Sequence, residues 1–405
     1  MTIEIPQLDD LLKFVESSKI RDAYNNPKSA LHLSSILPAL SASIGSPICT
    51  QIHKNPDSLR DLFGFPKVKS AVVVLVDGLG YWNLAIRKGH APYLRYLLND
   101  CANQRPIKTC IPSTTVAAMA TFGTGTCPGL TAMTGYTQKN PKTVALCQLI
   151  QFRDAPDPLD LQRQPTIFES LSNLGVRANH VSLSKFEDSP LTQAAFRGAK
   201  FISGSTPRAR IMNAANSTKT PGLTYLYLRD IDKVGHNYGW KSENWVSAFE
   251  QIDAQLSLLK KNCQKGTLIV ITADHGMIES NPDLKIDIAK DSRLTKGVKL
   301  VGGEPRSVML YAEDGENPDD IALRWSNVLQ DKARVRTKEQ AVKDGVFGKV
   351  SPLALSVIGD VLVQAKSSVT IVDSRIETEK AMSLPSVHGS MSHMEMDIPC
   401  LVDIA

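Results

Sequence analysis

No stretch of the 405 residues approaches the roughly 18 consecutive apolar residues of a membrane span, so no transmembrane helix is expected. The first residues, MTIEIPQLDDLLKF, lack the basic start and long apolar core of a secretory signal. Cysteine is scarce. The seven, at positions 49, 101, 110, 127, 147, 263 and 400, are odd in number and form no CxxC pair. That excludes a disulfide framework and a thiolate zinc site, and leaves scattered reduced thiols. A cytoplasmic location is the expectation, with no membrane partner. No dense Lys/Arg block accompanies the formal charge of +5, which argues against nucleic acid as the main partner but admits a small anion. Internal repeats and low-complexity segments are absent as well.

What is present is a set of short apolar runs that end in chemistry. The chain is long enough for one large α/β domain or two smaller ones. Residues 1–67 are mixed and read as an N-terminal extension packing on the core. Leu8 to Val15 reads as helical there, and the Ser/Pro-rich piece from Ser34 to Pro47 as a loop. Residues 68–405 read as the main domain, with a polar stretch at 278–305 as a possible lid.

Leu268 to Thr272, LIVIT, is the central run of that domain. It reads as a strand buried on both faces, ending in Asp274-His275-Gly276. In open α/β sheets the carboxyl ends of strands form the ligand edge. Ala71 to Val76 is a second such strand and ends in Asp77-Gly78-Leu79-Gly80. A phosphoaspartate nucleophile of the haloacid-dehalogenase kind needs a second Asp where Leu79 stands, so that reading falls. Leu223 to Leu228 is the third, running into Asp232 and His236, which converge if the segment is a helical turn. Between the first two strands lie Ile107 to Thr109, then Pro112-Ser113-Thr114-Thr115 and a helix from Val116 to Phe122. Ser and Thr at that place are ordinary helix caps. A helix start also stabilises an anion or an alkoxide.

Asp77, Thr115, Asp232, His236, Asp274, His275 and His388 thus fall at strand ends or loops of one presumed sheet. Each has a plain structural reading as a turn former, cap or backbone-bonded histidine, and their joint placement is the signal. Such mixed oxygen and nitrogen donors suit Zn²⁺ or Mn²⁺ better than Ca²⁺ or Mg²⁺. Two such ions clamp the attacking and leaving oxygens in phosphoryl transfer.

The pieces VVLVDGLG, IPSTT followed by TGTCPG, DIDKVGH, TADHGM and VHGS occur in the order found in the alkaline phosphatase superfamily. The chain most closely resembles its nucleotide pyrophosphatase/phosphodiesterase branch over about four fifths of its length. The resemblance implies a three-layer α/β sandwich with a mostly parallel central sheet and helices on both faces. It also implies two divalent metal ions, zinc or alternatively manganese. One would be held by Asp232, His236 and His388, the other by Asp77, Thr115, Asp274 and His275. Thr115 would be the nucleophile, forming a phosphothreonine that water then hydrolyses, with a small phosphate ester as substrate. His388 is preferred to His393 because it precedes a glycine.

Two departures concern the substrate contacts. Thr131-Ala132 stands where the family has His-Gly. Tyr136 stands near the place of an Asn that binds a phosphate oxygen, so Tyr136 and Thr114 become the candidate substrate contacts. The sulfatase branch is excluded, because Thr114 replaces the Arg of its Cys-x-Pro-x-Arg signature. The alternatives are a phosphomonoesterase or phosphomutase of the same superfamily, or a catalytically silent metal-binding protein.

Overall fold

The computed structural model describes residues 3–16, 18, 19, 24 and 31–405. Six strands form the central sheet, in the order Cys400–Ile404, Leu268–Thr272, Ser70–Val76, Gly222–Leu228, Ala178–Ser182, Lys200–Ser203. All neighbours run parallel except Cys400–Ile404, which closes one edge antiparallel. The three strands read as buried on both faces are buried at nearly every residue. Parallel strands need crossovers, and these carry helices such as Ile167–Asn173, Pro207–Ser217 and the 20-residue Glu243–Asn262. The last begins where Ser242 accepts the Trp245 N–H, and it buries Trp245, Phe249, Ile252, Leu256 and Leu259. This is the mixed α/β architecture expected, with a mostly parallel central sheet and helices around it.

A second, antiparallel sheet has the order Ala333–Thr337, Val361–Ala365, Ser307–Ala312, Val298–Glu304, Thr137–Lys139, Leu146–Gln148. It builds its own apolar core from Val308, Leu310, Val361 and Val363 against Ile321 and Trp325 of helix Pro318–Leu329. The 278–305 segment enters this region. Ile288 and Leu294 join that core, and Val298–Glu304 is an interior strand of that sheet.

Two sequence readings near the N-terminus are corrected. The helix read over Leu8 to Val15 is confined to Leu8–Leu11, and Phe14 pairs with Ser392 as an isolated bridge. Ser34 to Pro47 is not a surface loop, because Leu33–Ser43 is a helix buried along its whole length. The His32 side chain caps it by accepting the Ser34 N–H. Ser35, Ser41 and Ser43 turn their hydroxyls onto carbonyls of the preceding turn. Serines that would compete with the backbone in water are therefore satisfied locally, and apolar packing overrides their weak propensity. Among the described residues no helix is long and apolar enough to cross a membrane.

Candidate metal centre and nucleophile

Three loops at the carboxyl ends of adjacent strands meet over the sheet. Asp77 follows Ser70–Val76, Asp274 and His275 follow Leu268–Thr272, and helix Asp230–Tyr238 follows Gly222–Leu228. Their closeness is a backbone matter. The Asp232 N–H donates to the Asp77 carbonyl at 3.1 Å, and the Gly78 N–H to Asp274 Oδ1 at 3.0 Å. A Cβ at Gly78, whose φ is +73°, would stand 2.9 Å from the Asp232 Cβ, so only glycine permits the approach. The Asp230–Tyr238 helix puts Asp232 and His236 one turn apart on one face, with His236 Nε2 3.3 Å from Asp232 Oδ1. His388 arrives from the far end of the chain, its Nε2 3.8 Å from the same oxygen.

Donor atoms of Asp232, His236 and His388 lie within 4.8 Å of one another, and so do those of Asp77, Asp232 and His275. Asp232 is common to both groups. Asp274 flanks the second, its Oδ2 3.5 Å from His275 Nε2. His393 lies outside, bonded to Asp397, which also receives Lys108 and the Trp82 N–H.

The histidine tautomers follow from their partners. Nδ1 of His236 meets the Ser386 carbonyl at 2.8 Å, that of His388 the Ser113 carbonyl at 2.8 Å, and that of His275 the Gly276 carbonyl at 3.2 Å. A carbonyl only accepts, so each Nδ1 holds the proton and each Nε2 turns a lone pair to the centre. Asp232 Oδ1 and Asp274 Oδ2 are enclosed there without any hydrogen-bond donor. Converging lone pairs and orphaned carboxylate oxygens are costly unless a cation lies among them, so the residues fit divalent metal.

Without an ion the cluster is electrostatically crowded. Burial, then the negative Asp274 and Asp232, push Asp77 well above the usual carboxylate range. Burial would raise Asp232 too, but attraction to His236, His388 and His275 outweighs it and holds that group low. Burial, followed by the neighbouring His275 and His236, drives His388 far down. The rings of His275 and His388 stack at 3.6 Å.

Thr115 opens helix Thr115–Thr124, in whose first turn the backbone N–H groups have no helical partner. Its Oγ1 lies 3.2 Å from His275 Nε2 and 3.5 Å from Asp77 Oδ1. Thr114 and Tyr136 both line the adjoining cavity of about 1160 Å³, and the Tyr136 hydroxyl accepts from Gln148. Thr131 and Thr137 are spent on the carbonyls of Pro128 and Gly303. All seven proposed ligands and both proposed contacts therefore border one cavity or cluster.

Several cavity residues lie outside the candidate set drawn from the sequence. Tyr227 donates its hydroxyl to Asp77 Oδ2, yet it sits in a run indistinguishable from any buried strand. Lys185 and Arg229 share the face of Phe186, 5.0 and 5.8 Å from its centroid, and no carboxylate among the described residues pairs with either. Glu304 reaches in from the second sheet. Arg306, two residues on, is fully buried and turns away to Glu395.

Such a fold, carrying clustered Asp and His donors beside a helix-start threonine, defines a protein of the alkaline phosphatase superfamily. The chain belongs to the type I phosphodiesterase / nucleotide pyrophosphatase family, whose profile matches residues 71–391. No protein among the curated ones matches its sequence. Murine ectonucleotide pyrophosphatase / phosphodiesterase 5 is structurally similar, with TM-score 0.65, 16% identity, and 82% of this chain and 87% of that one covered. Its inactive threonine-to-alanine variant, solved in complex with AMP, aligns with TM-score 0.64 at the same identity and coverage. Phosphonoacetate hydrolase from Sinorhizobium meliloti 1021, in complex with phosphonoformate, aligns with TM-score 0.63 and 20% identity over 83% and 90% of the two chains.

Proposed function

We propose that this protein is a metal-dependent hydrolase of phosphodiester or nucleotide pyrophosphate bonds, with Thr115 as its nucleophile. One observation carries the reading: a threonine hydroxyl at a helix start lies within 3.5 Å of Asp77 and His275, beside lone pairs turned to a common centre. Asp232, His236 and His388 would hold one divalent ion, zinc fitting best, and Asp77, Asp274, His275 and Thr115 a second. When bound, such ions withdraw charge from phosphoryl oxygens and favour ionised hydroxyls. The helix start adds its own positive field at the Thr115 oxygen. Thr115 Oγ1 forms the new bond to phosphorus as the ester oxygen leaves, and water then releases the phosphothreonine.

The charge around the nucleophile favours a diester. A monoester carries about one more negative charge near neutral pH and calls for extra cationic donors. Lys108 is held by Asp397 and Arg306 by Glu395, so neither serves. Arg229 and Lys185 do line the cavity, but with Phe186, whose ring is 5.9 Å from Tyr227, the residue that touches Asp77. Cations set one ring layer back suit a distal anionic group, which favours nucleotide pyrophosphates among the diester-like substrates. AMP in the murine relative is consistent with such a small substrate.

The test is a screen of diesters, monoesters and nucleotide pyrophosphates with zinc- or manganese-reconstituted protein. Bis-nitrophenyl phosphate should exceed mononitrophenyl phosphate at least about tenfold in kcat/KM, equivalent to about 1.4 kcal/mol. A ratio below one replaces the diesterase with a monoesterase.

A further inference from the structure

Ala178–Ser182 and Gly222–Leu228 are parallel neighbours in the central sheet, and each delivers a cation to the cavity. The first runs on into the Ser184–Phe186 turn, which carries Lys185 and Phe186, and the second runs directly into Arg229. Lys185 Nζ lies 5.0 Å from the centre of the Phe186 ring, and the Arg229 guanidinium carbon 5.8 Å from it. An aromatic face holds a cation without neutralising it. No carboxylate among the described residues pairs with either. Asp230, next to Arg229 in sequence, turns to Arg210 at 3.7 Å, and Asp232 belongs to the metal cluster. Burial, then the like charges of Arg229 and Lys233, hold the Lys185 ammonium below the ordinary lysine range.

All three side chains are open to a ligand. Lys185 is exposed, and Arg229 and Phe186 are half-buried in the cavity wall. They are also fixed relative to the nucleophile. Phe186 packs 5.9 Å from the Tyr227 ring, the Tyr227 hydroxyl rests on Asp77, and Asp77 Oδ1 is 3.5 Å from Thr115 Oγ1. Two side chains, Tyr227 and Asp77, thus separate the ring beneath the cations from the reacting oxygen, a gap of the order of a sugar unit. Unpaired cations gathered on one wall repel each other, and an anion relieves that repulsion. A nucleobase laid on Phe186 would shield both cations from water and bring no counter-charge. A phosphate brings the counter-charge, and its oxygens match the fork of Arg229. We propose that Lys185 and Arg229 form a second anion subsite, for a terminal phosphate one sugar unit from the scissile phosphorus. The substrate is then a phosphate diester or anhydride that carries a further phosphate, chosen by that charge and not by its base. The inference deepens the hydrolase reading and rests on it, and the experiment keeps the two apart.

Thymidine 5′-nitrophenyl phosphate, with and without a 3′-phosphate, isolates the added group. With zinc-loaded protein the 3′-phosphate should raise kcat/KM at least about tenfold at low ionic strength, and less in concentrated salt. That advantage should fall below about twofold in the Lys185→Ala/Arg229→Ala double variant and persist in part in Arg229→Lys. It is a ratio within each variant, so a general loss of activity cancels. The abasic sugar carrying the same two phosphates should keep most of it. A wild-type advantage below about twofold, or one that survives the double variant, overturns the proposal. So does a greater loss on removing the base than on removing the 3′-phosphate. If the wild type cleaves neither ester, the hydrolase reading fails and calorimetry decides the subsite alone. Thymidine 3′,5′-bisphosphate bound more tightly than thymidine 5′-monophosphate, with the difference lost in the double variant, supports it. Equal or absent binding of the two refutes it.

Discussion

Thr115 is the residue on which the proposed chemistry turns, and its surroundings fix what its removal should do. Among the described residues its hydroxyl contacts only His275 and Asp77, at 3.2 and 3.5 Å, and holds no backbone group. Thr115→Ala should therefore leave the fold and most bound metal in place while kcat falls by several orders of magnitude. Near-normal turnover would pass the role to Thr114, Ser113 or a direct water attack. For the metal, His388 and His393 separate cleanly. His388 shares Asp232 with His236, whereas His393 serves Asp397. Chelator should abolish activity, and zinc or manganese should restore it. His388→Ala should empty one of two sites and His393→Ala neither, as measured by metal content per chain. Two full equivalents in His388→Ala would remove it from the ligand set.

At the scale of elements, legibility followed burial. Strands covered on both faces read as near-continuous apolar runs, so Leu268–Thr272 stands where the sequence puts it and Ala71 to Val76 falls within Ser70–Val76. The Leu33–Ser43 helix was misread because Ser, Pro and Ala say little about burial. Its serines are satisfied within the helix, and Pro38 meets the end of the nucleophile helix, 2.9 Å from where a Cβ on Gly125 would be. That helix is consequently part of the platform behind Thr115. Leu37 is fully buried in it, so Leu37→Ala should cost about 2–5 kcal/mol by urea titration. A loss under about 1 kcal/mol would mean that the N-terminal region packs loosely. The second sheet was missed as a unit, because its members come from 137–148, 298–312 and 333–365 and only folding joins them.

The molecule as a whole carries a pH liability away from its site. Burial drives His32 and His180 down to about 3 and His53 to about 4. All three stay neutral in the folded state, while the unfolded chain protonates them below about 6.5. The unfolded state then binds more protons as pH falls, so stability is complete above about 6.5 and is lost toward 4. Each histidine contributes a slope of about 1.4 kcal/mol per pH unit, or about 4 for the three together. Urea midpoints at pH 7.5 and 5.5 measure it. Among the described residues neither nitrogen of His180 has a partner, and its ring lies amid Phe196, Phe201 and Tyr225, so His180→Phe should flatten the dependence by about a third. An unchanged slope would show that His180 finds a proton acceptor on folding.

By itself the sequence determined three strands of the central sheet, the order of the loops that follow them, and which seven residues are candidate donors. Those depend on short-range patterns: apolar runs for strands, Asp and His at their ends, a Pro and hydroxyls before a helix. Tertiary structure alone decided the rest. The sharing of Asp232 between two donor groups, the pairing of Tyr227 with Asp77, and the lone pairs aimed by distant carbonyls require segments 150 or more residues apart to meet. The parting of Glu304 and Arg306, one toward the cavity and one toward Glu395, was set the same way. Two charged residues at a hairpin tip look alike in sequence, and only the packing of one sheet against the other gives each its partner.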